Sequence, residues 1–260
     1  INDTPVLLDL LMAGNDMIVG SQYGDTIETG SGDDVIISGL GEDVIYSGDG
    51  ADIVYDGAGL DYVIDFGADA AIDKVIMSGN INEFTFSFDR IINVGSGAVV
   101  INTIVDDESG TTLDCRSVER FVAYDYAVAT DVRVGENAGM VYRLYQAAFD
   151  RIPDYEGLGF WINALDQGYT LEEVGTAFTT TPEFLNVYGA NSSNRTFVNL
   201  LYDHVLGRVA DDEGFNFWNN ALNSGYSRGA VMAVYTECPE NVANVAERIG
   251  SSIMYEPWVA

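Results

Sequence analysis

The chain has 260 residues, 41 acidic and 11 basic, for a net charge of −30 with 47% hydrophobic residues. That balance excludes a nucleic-acid partner, which needs a basic face, and disfavours an anionic membrane surface; the apolar content argues against a disordered acidic tail. No run is apolar enough for membrane insertion, and two cysteines with one histidine, His204, leave no zinc cluster, disulfide framework or His-based triad.

Ile1 is not an initiator Met, so the chain reads as a fragment, expected to be the C-terminal part of something longer. From residue 11 to 64 it divides without gaps into six nonapeptides: LMAGNDMIV, GSQYGDTIE, TGSGDDVII, SGLGEDVIY, SGDGADIVY and DGAGLDYVI. The sixth position is always aspartate: Asp16, Asp25, Asp34, Asp43, Asp52 and Asp61. The eighth is always β-branched, from Ile18 to Val63. These 54 residues hold eleven carboxylates and no lysine or arginine. A repeat of this kind is a solenoid unit that buries its apolar residues only by stacking on neighbours.

Each unit reads as a six-residue turn followed by a three-residue strand. Gly30, Gly32, Gly39, Gly41, Gly48, Gly50, Gly57 and Gly59 supply the turn conformations and close backbone approach and are read with the aspartates as metal-site residues through the turn carbonyls, and the eighth residue points inward. If two strands complete a coil, repeat n lies on repeat n+2. Asp16, Asp34 and Asp52 then stack on one side and Asp25, Asp43 and Asp61 on the other. Neighbouring strands are about 4.8 Å apart. Two carboxylates at that spacing repel by roughly 3 kcal/mol at an effective dielectric of about 20. Such a ladder calls for a hard divalent cation between turns. Oxygen-only ligands on a glycine-rich loop favour Ca²⁺ over Mg²⁺ or Zn²⁺.

Residues 65 to about 130 lose the nine-residue period. KVIM, EFTFSF and AVVINTIV read as strands separated by SGN, GSG and DDESGT, with Phe84, Phe86 and Phe88 alternating. From about 134 the periodicity is helical, and LYQAAFDRIPDYEGLGFWINALDQGYT (144–170) aligns with LYDHVLGRVADDEGFNFWNNALNSGYS (201–227) at an offset of 57. Thr170 with Glu173 forms a capping box, Thr181–Pro182 starts another helix, and Asp154 and Asp211 are read as helix caps. Arg151 and Arg208 are expected to form ion pairs within their copies, and His204 is read as structural. The aromatic pairs Phe160–Trp161 and Phe217–Trp218 are read as core. Trp161 and Trp218 as carbohydrate platforms are the sharper alternative. Cys115 and Cys238 have the option of a bridge in an oxidising exterior. The segment NVANVAERIGSSIMYEPWVA is read as an amphipathic helix and tail, either a secretion signal or the last helix of the bundle.

The nonapeptides resemble the RTX repeat G-G-x-G-x-D-x-U-x, in which U is a large aliphatic residue, of type I-secreted bacterial proteins. The third to sixth copies keep both glycines; LMAGNDMIV lacks the first and GSQYGDTIE has Tyr23 in place of the second. The resemblance implies a parallel β-roll, calcium-triggered folding outside the cell and export through a type I secretion channel. TTLDCRSVERFVAYD looks like the strand segment that follows such rolls. Residues 137–250, with YRLYQAAFDR, PDYEGLGFWINAL and TTPEF, resemble a helical domain of unassigned function that often follows RTX repeats.

The expected fold is therefore β plus α in two domains. A calcium-binding β-roll spans 1–73, capping strands span 74–133, and an all-α domain spans 134–260 with copies at about 140–190 and 197–247. The expected role is non-enzymatic: a calcium-dependent module of an adhesin, matrix or surface-layer protein, secreted or at the surface of a Gram-negative bacterium. Expected partners are calcium, and as options other copies of the chain or cell-surface glycan. The alternatives are an accessory module of a secreted protease, lipase or epimerase, and a carbohydrate-binding module.

Overall fold

A computed structural model describes residues 7–9, 13–57, 59, 61–66, 71–94 and 97–258. Leu11 and Met12, the first two positions of the first repeat, lie outside the described residues. The chain forms two compact units, Ile1–Thr130 and Asp131–Ala260.

In the first unit, strands β1 (Leu7–Asp9), β2 (Met17–Val19), β3 (Thr26–Glu28), β4 (Val35–Ile37), β5 (Val44–Gly48), β6 (Ile53–Tyr55), β7 (Asp61–Phe66) and β8 (Lys74–Ile76) alternate between two sheets. Pairing is parallel and advances by two repeats. Met17 faces Val35, Val35 faces Ile53, and Thr26 faces Val44, each a step of 18 residues. One sheet runs β2-β4-β6-β8 and the other β1-β3-β5-β7. The eighth position of the first five repeats points between them: Ile27, Ile36, Ile45 and Val54 are fully buried, with Ile18 close to it. Each such side chain contributes roughly 1.5–3 kcal/mol by leaving water. Its neighbours at positions seven and nine face outward, as Met17 and Val19 do.

The parallel pairing continues beyond the nonapeptides. Ile53 faces Lys74, a step of 21, so β8 adds another rung and places Val75 in the apolar column. Strands β9 (Phe84–Val94) and β10 (Gly97–Asp106) form a long antiparallel hairpin, followed by β11 (Thr112–Cys115), which returns parallel to β7. Strand β12 (Arg120–Val122) lies parallel to β8 and antiparallel to β13 (Ala127–Ala129). Phe86 and Phe88 stack at 5.6 Å and meet Phe121 at 6.1 and 6.3 Å, which closes this end of the core. Cys115 is buried, its thiol pushed up by burial, and both cysteines are free.

The second unit holds α1 (Asn137–Phe149), α2 (Tyr155–Asp166), α3 (Leu171–Phe178), α4 (Pro182–Tyr188), α5 (Asn194–Leu206), α6 (Asp212–Asn223), α7 (Arg228–Thr236), α8 (Pro239–Ile249) and a final strand β14 (Ile253–Tyr255). The first four helices begin 57 residues before the second four. Their caps repeat as well. Asp154 accepts from the Gly157 amide and Asp211 from Gly214; Thr181 caps α4, while Cys238 Sγ accepts from the Asn241 amide at 3.5 Å in α8. Thr170 and Glu173 form the capping box at α3. His204 packs edge-on against Tyr188 at 5.6 Å. The 241–260 segment supplies the end of α8, with Val245 and Ile249 buried, and then β14, whose Ile253 and Tyr255 are also buried.

Candidate metal-binding ladder

The sixth-position aspartates stand where turn becomes strand, and from Asp16 to Asp52 the aspartate's own amide donates to a carboxylate one coil further on. The Asp16 amide reaches Asp34 Oδ1 at 2.8 Å, the Asp34 amide Asp52 Oδ1 at 2.9 Å, and the Asp52 amide Asp73 Oδ1 at 2.9 Å. On the other edge the Asp25 amide reaches Asp43 Oδ1 at 2.8 Å and the Asp43 amide Asp61 Oδ1 at 2.9 Å. Asp34, Asp43, Asp52, Asp61 and Asp73 are all buried. One oxygen of each bonded carboxylate is thus committed to backbone. The second oxygens of Asp34, Asp43 and Asp52, and of Asp16, are buried with no hydrogen-bond partner.

A buried unsatisfied polar atom costs about 1–3 kcal/mol, and more when charged. Burial pushes the Asp43 carboxyl up to about 6, with the Asp61 and Asp25 charges adding to the rise and the Asp25 amide opposing it. Asp52 is raised for the same reason; Ser47 lies beside it and tempers the rise without a hydrogen bond of normal geometry. Asp56 reaches about 8 through burial and its contact with Asp61. Without a counter-ion, Asp43, Asp52 and Asp56 are the carboxyls of this unit that hold their protons more tightly than usual.

The turns bring backbone close to the same place. Gly48 and Gly50 have φ of 89° and 133°, and a Cβ on either would fall on the carbonyl of Gly30 or Gly32 in the coil before. The glycines serve stacking as much as turning. Among the described residues no three acidic, histidine or cysteine side chains converge. A cation here would draw on one or two carboxylates plus turn carbonyls, an all-oxygen set that fits Ca²⁺.

Asp73, Asp56 and Glu119 are absent from the sequence reading. A three-residue insertion after the sixth nonapeptide displaces Asp73 from the period, yet Asp73-Lys74-Val75 keeps the aspartate-x-aliphatic signature. Glu119-Arg120-Phe121 has a similar form, and Glu119 Oε2 accepts from the Asp73 amide at 3.1 Å. Asp56 sits at a first position that other repeats fill with the buried residues Thr29, Ser38 and Ser47.

The aromatic pairs are only partly core. Phe160 and Phe217 are exposed, at 38% and 63%. Trp161 and Trp218 are half-buried against Phe178 at 5.0 Å and Tyr235 at 5.4 Å. Successive helical residues point about 100° apart, so one member of each pair must turn away from the core.

Residues 12–45 and 39–64 match the family model described as RTX calcium-binding nonapeptide repeat (4 copies). The ladder is an RTX repeat array. Residues 130–186 and 175–245 match Domain of unknown function (DUF4214), so the chain joins RTX repeats to two DUF4214 copies. No curated protein matches the chain. RTX repeats bind calcium and are typical of secreted bacterial proteins. No described helix is long and apolar enough to cross a membrane.

Proposed function

We propose that this chain is a calcium-folded, non-catalytic module of a bacterial surface protein of adhesin, matrix or surface-layer type, exported by a type I channel and closing as a parallel β-roll outside the cell. The observation that carries the reading is the half-satisfied ladder. Asp34, Asp43 and Asp52 each hold one oxygen on a backbone amide and leave the other buried and unpartnered. Asp16, Asp34, Asp52 and Asp73 would hold ions along one edge, and Asp25, Asp43 and Asp61 along the other, with turn carbonyls from adjacent coils completing each shell.

Bound calcium supplies the positive charge that this segment lacks. The residues do the rest. Backbone amides fix each carboxylate in register, glycines let the turns approach, and the aliphatic column rewards closure. Extracellular calcium modules bind at about 0.1–1 mM. With free calcium about tenfold above that constant, each site contributes roughly 1.4 kcal/mol. The four aspartate pairs within the nonapeptides then supply about 5–6 kcal/mol, comparable to the stability of a small domain. At cytosolic calcium that support is lost, which suits a chain that must stay unfolded for export.

A calcium titration from EGTA, followed by far-UV circular dichroism and calorimetry, tests this. The expected result is a cooperative gain of β signal near millimolar calcium with about four ions bound, blunted by Asp34→Asn with Asp52→Asn. A β signal already complete in EGTA and indifferent to calcium would overturn it.

A further inference from the structure

The two sheets of the RTX unit differ on their outer faces. In β2, β4 and β6 the strands read MIV, VII and IVY, apolar at all three positions. The middle residue is buried between the sheets, and the parallel register lines the outer two up in columns. Met17, Val35, Ile53 and Lys74 form one column, and Val19, Ile37, Tyr55 and Ile76 the other. Met17, Val19 and Tyr55 are 70%, 61% and 42% exposed, and the rest are half-buried. In the opposite sheet β3 reads TIE, so Thr26 and Glu28 interrupt the same positions.

A strand with one face in water alternates apolar and polar residues. Strands apolar throughout are the mark of a parallel sheet covered on both faces. Part of this sheet meets that expectation. On the same outer face, Arg120 of β12 and Ala127 and Ala129 of β13 are buried, and the open columns run on from them. The open columns also hold no carboxylate, in a unit where acidic side chains far outnumber basic ones. Their one charge is Lys74, at the β8 end.

We propose that this face pairs two copies of the folded chain, sheet against sheet across a two-fold axis. The proposal rests on the reading that calcium folds this unit, and adds a partner to it. The chemistry selects a second copy. The columns carry the valine and isoleucine that the unit already packs between its own sheets, at Ile18, Ile36 and Val54 with Ile27 and Ile45. An identical face about 10 Å away is therefore a matching surface. Two chains this acidic approach closely only where carboxylate does not meet carboxylate, and these columns are such a place. An unrelated partner would need its own apolar sheet to fit, whereas the two-fold copy brings one by symmetry. The eight residues a side fall short of the roughly 20–30 of a standard interface, which sets the dissociation constant on the order of 10–100 µM.

Sedimentation velocity of the full chain in saturating calcium, from about 5 to 500 µM, tests this. A monomer–dimer equilibrium is expected, with far-UV circular dichroism confirming the β signal of each variant. Val19→Glu with Tyr55→Glu puts carboxylates on the face and should weaken pairing at least about tenfold. Val19→Thr with Ile37→Thr keeps the β-branched shape that the strands favour and should weaken pairing about five- to tenfold. If the glutamate pair unfolds the unit, the threonine pair decides. Val209→Glu with Tyr226→Glu adds the same charge at exposed positions of the helical unit and should leave pairing unchanged. A chain that gains its β signal with calcium yet stays monomeric at every concentration would overturn the proposal and leave the calcium reading standing. So would a dimer undiminished in the face variants, or one weakened equally by Val209→Glu with Tyr226→Glu. A β signal indifferent to calcium would sink the calcium reading instead, with pairing still judged by the same variants.

Discussion

Residues 1–130 carry 24 acidic and 4 basic side chains, a net charge of −20, and residues 131–260 carry 17 and 7, a net −10. The two units manage that excess differently. In the helical unit, carboxylates meet arginines. Arg143 is buried and donates to Glu237 at 2.9 Å and to the carbonyls of Val132 and Arg133, Arg151 grips Glu183 through two nitrogens, and Arg208 does the same with Glu240. In the RTX unit, Asp34, Asp43 and Asp52 meet backbone amides on one oxygen and have no hydrogen-bond partner on the other. An acidic fold can therefore carry its own counter-charge or leave the position to an external ion. Only the second choice makes folding depend on one particular ion in the medium.

The largest expected effect separates the units by calcium removal. Chelation should destabilise the RTX unit by about 5–6 kcal/mol and leave the helical transition in place. Differential scanning calorimetry in EGTA and in excess calcium reads this as one transition lost or shifted and one retained. Movement of both by equal amounts would break the comparison.

Next in size is the buried pair of the helical unit. Arg143 and Glu237 have no counterparts in the other copies, where Leu200 and Thr180 stand, so this bridge is not part of the repeat. Arg143→Ala strands Glu237 and two carbonyls and should cost about 3 kcal/mol, with the same loss in EGTA and in calcium. Chemical denaturation followed by helical ellipticity measures it.

Gly50→Ala acts on the other unit. With φ of 133° and the Gly32 carbonyl where its Cβ would fall, alanine should cost about 1–3 kcal/mol and raise the calcium needed for folding. Smaller still is the response to pH without calcium. Asp43, Asp52 and Asp56 have folded-state values raised above the ordinary carboxylate range, to about 6 for Asp43 and about 8 for Asp56. Between the ordinary range near 4 and those values the folded unit binds more protons than the unfolded chain, so stability falls as pH rises through this window. In EGTA the residual β signal of the RTX unit should be larger at pH 5 than at pH 8. The calcium midpoint should move the other way, to higher concentration at pH 5, because protons and calcium compete for the same carboxylates.

The ladder was legible because its signals are local and repeated. A nine-residue step with aspartate at six and an aliphatic at eight leaves one stacking geometry, and the observed step of 18 between Met17 and Val35 is that geometry. Asp73 was not legible because three inserted residues break the count. Glu119 was not because 46 residues and a hairpin separate it from the carboxylate it follows. In the helical unit the caps at Asp154, Thr170 and Thr181 could be read from three-residue spacings. The exposure of Phe160 and Phe217 could not, since aromatic content gives no direction until the helix has been placed against its neighbours.

The smallest expected effects compare the two surface clamps. Arg151 and Arg208 hold equivalent glutamates, and each guanidinium lies 5.1 Å from a tyrosine ring, Tyr145 or Tyr202. Both pairs are substantially exposed, so salt screening and side-chain entropy keep the contribution of each ion pair small. The difference lies beneath them. Arg151 also covers the Phe149 ring at 5.6 Å, and the first copy has Glu183 at 2.6 Å where the second has Glu240 at 3.0 Å. Arg151→Ala should therefore cost more than Arg208→Ala, by about 0.5–1 kcal/mol for the added cation–π contact. High salt should shrink the ion-pair part of each loss and leave that difference largely in place. Equal losses in the two variants would mean that the Phe149 ring adds nothing to the clamp above it.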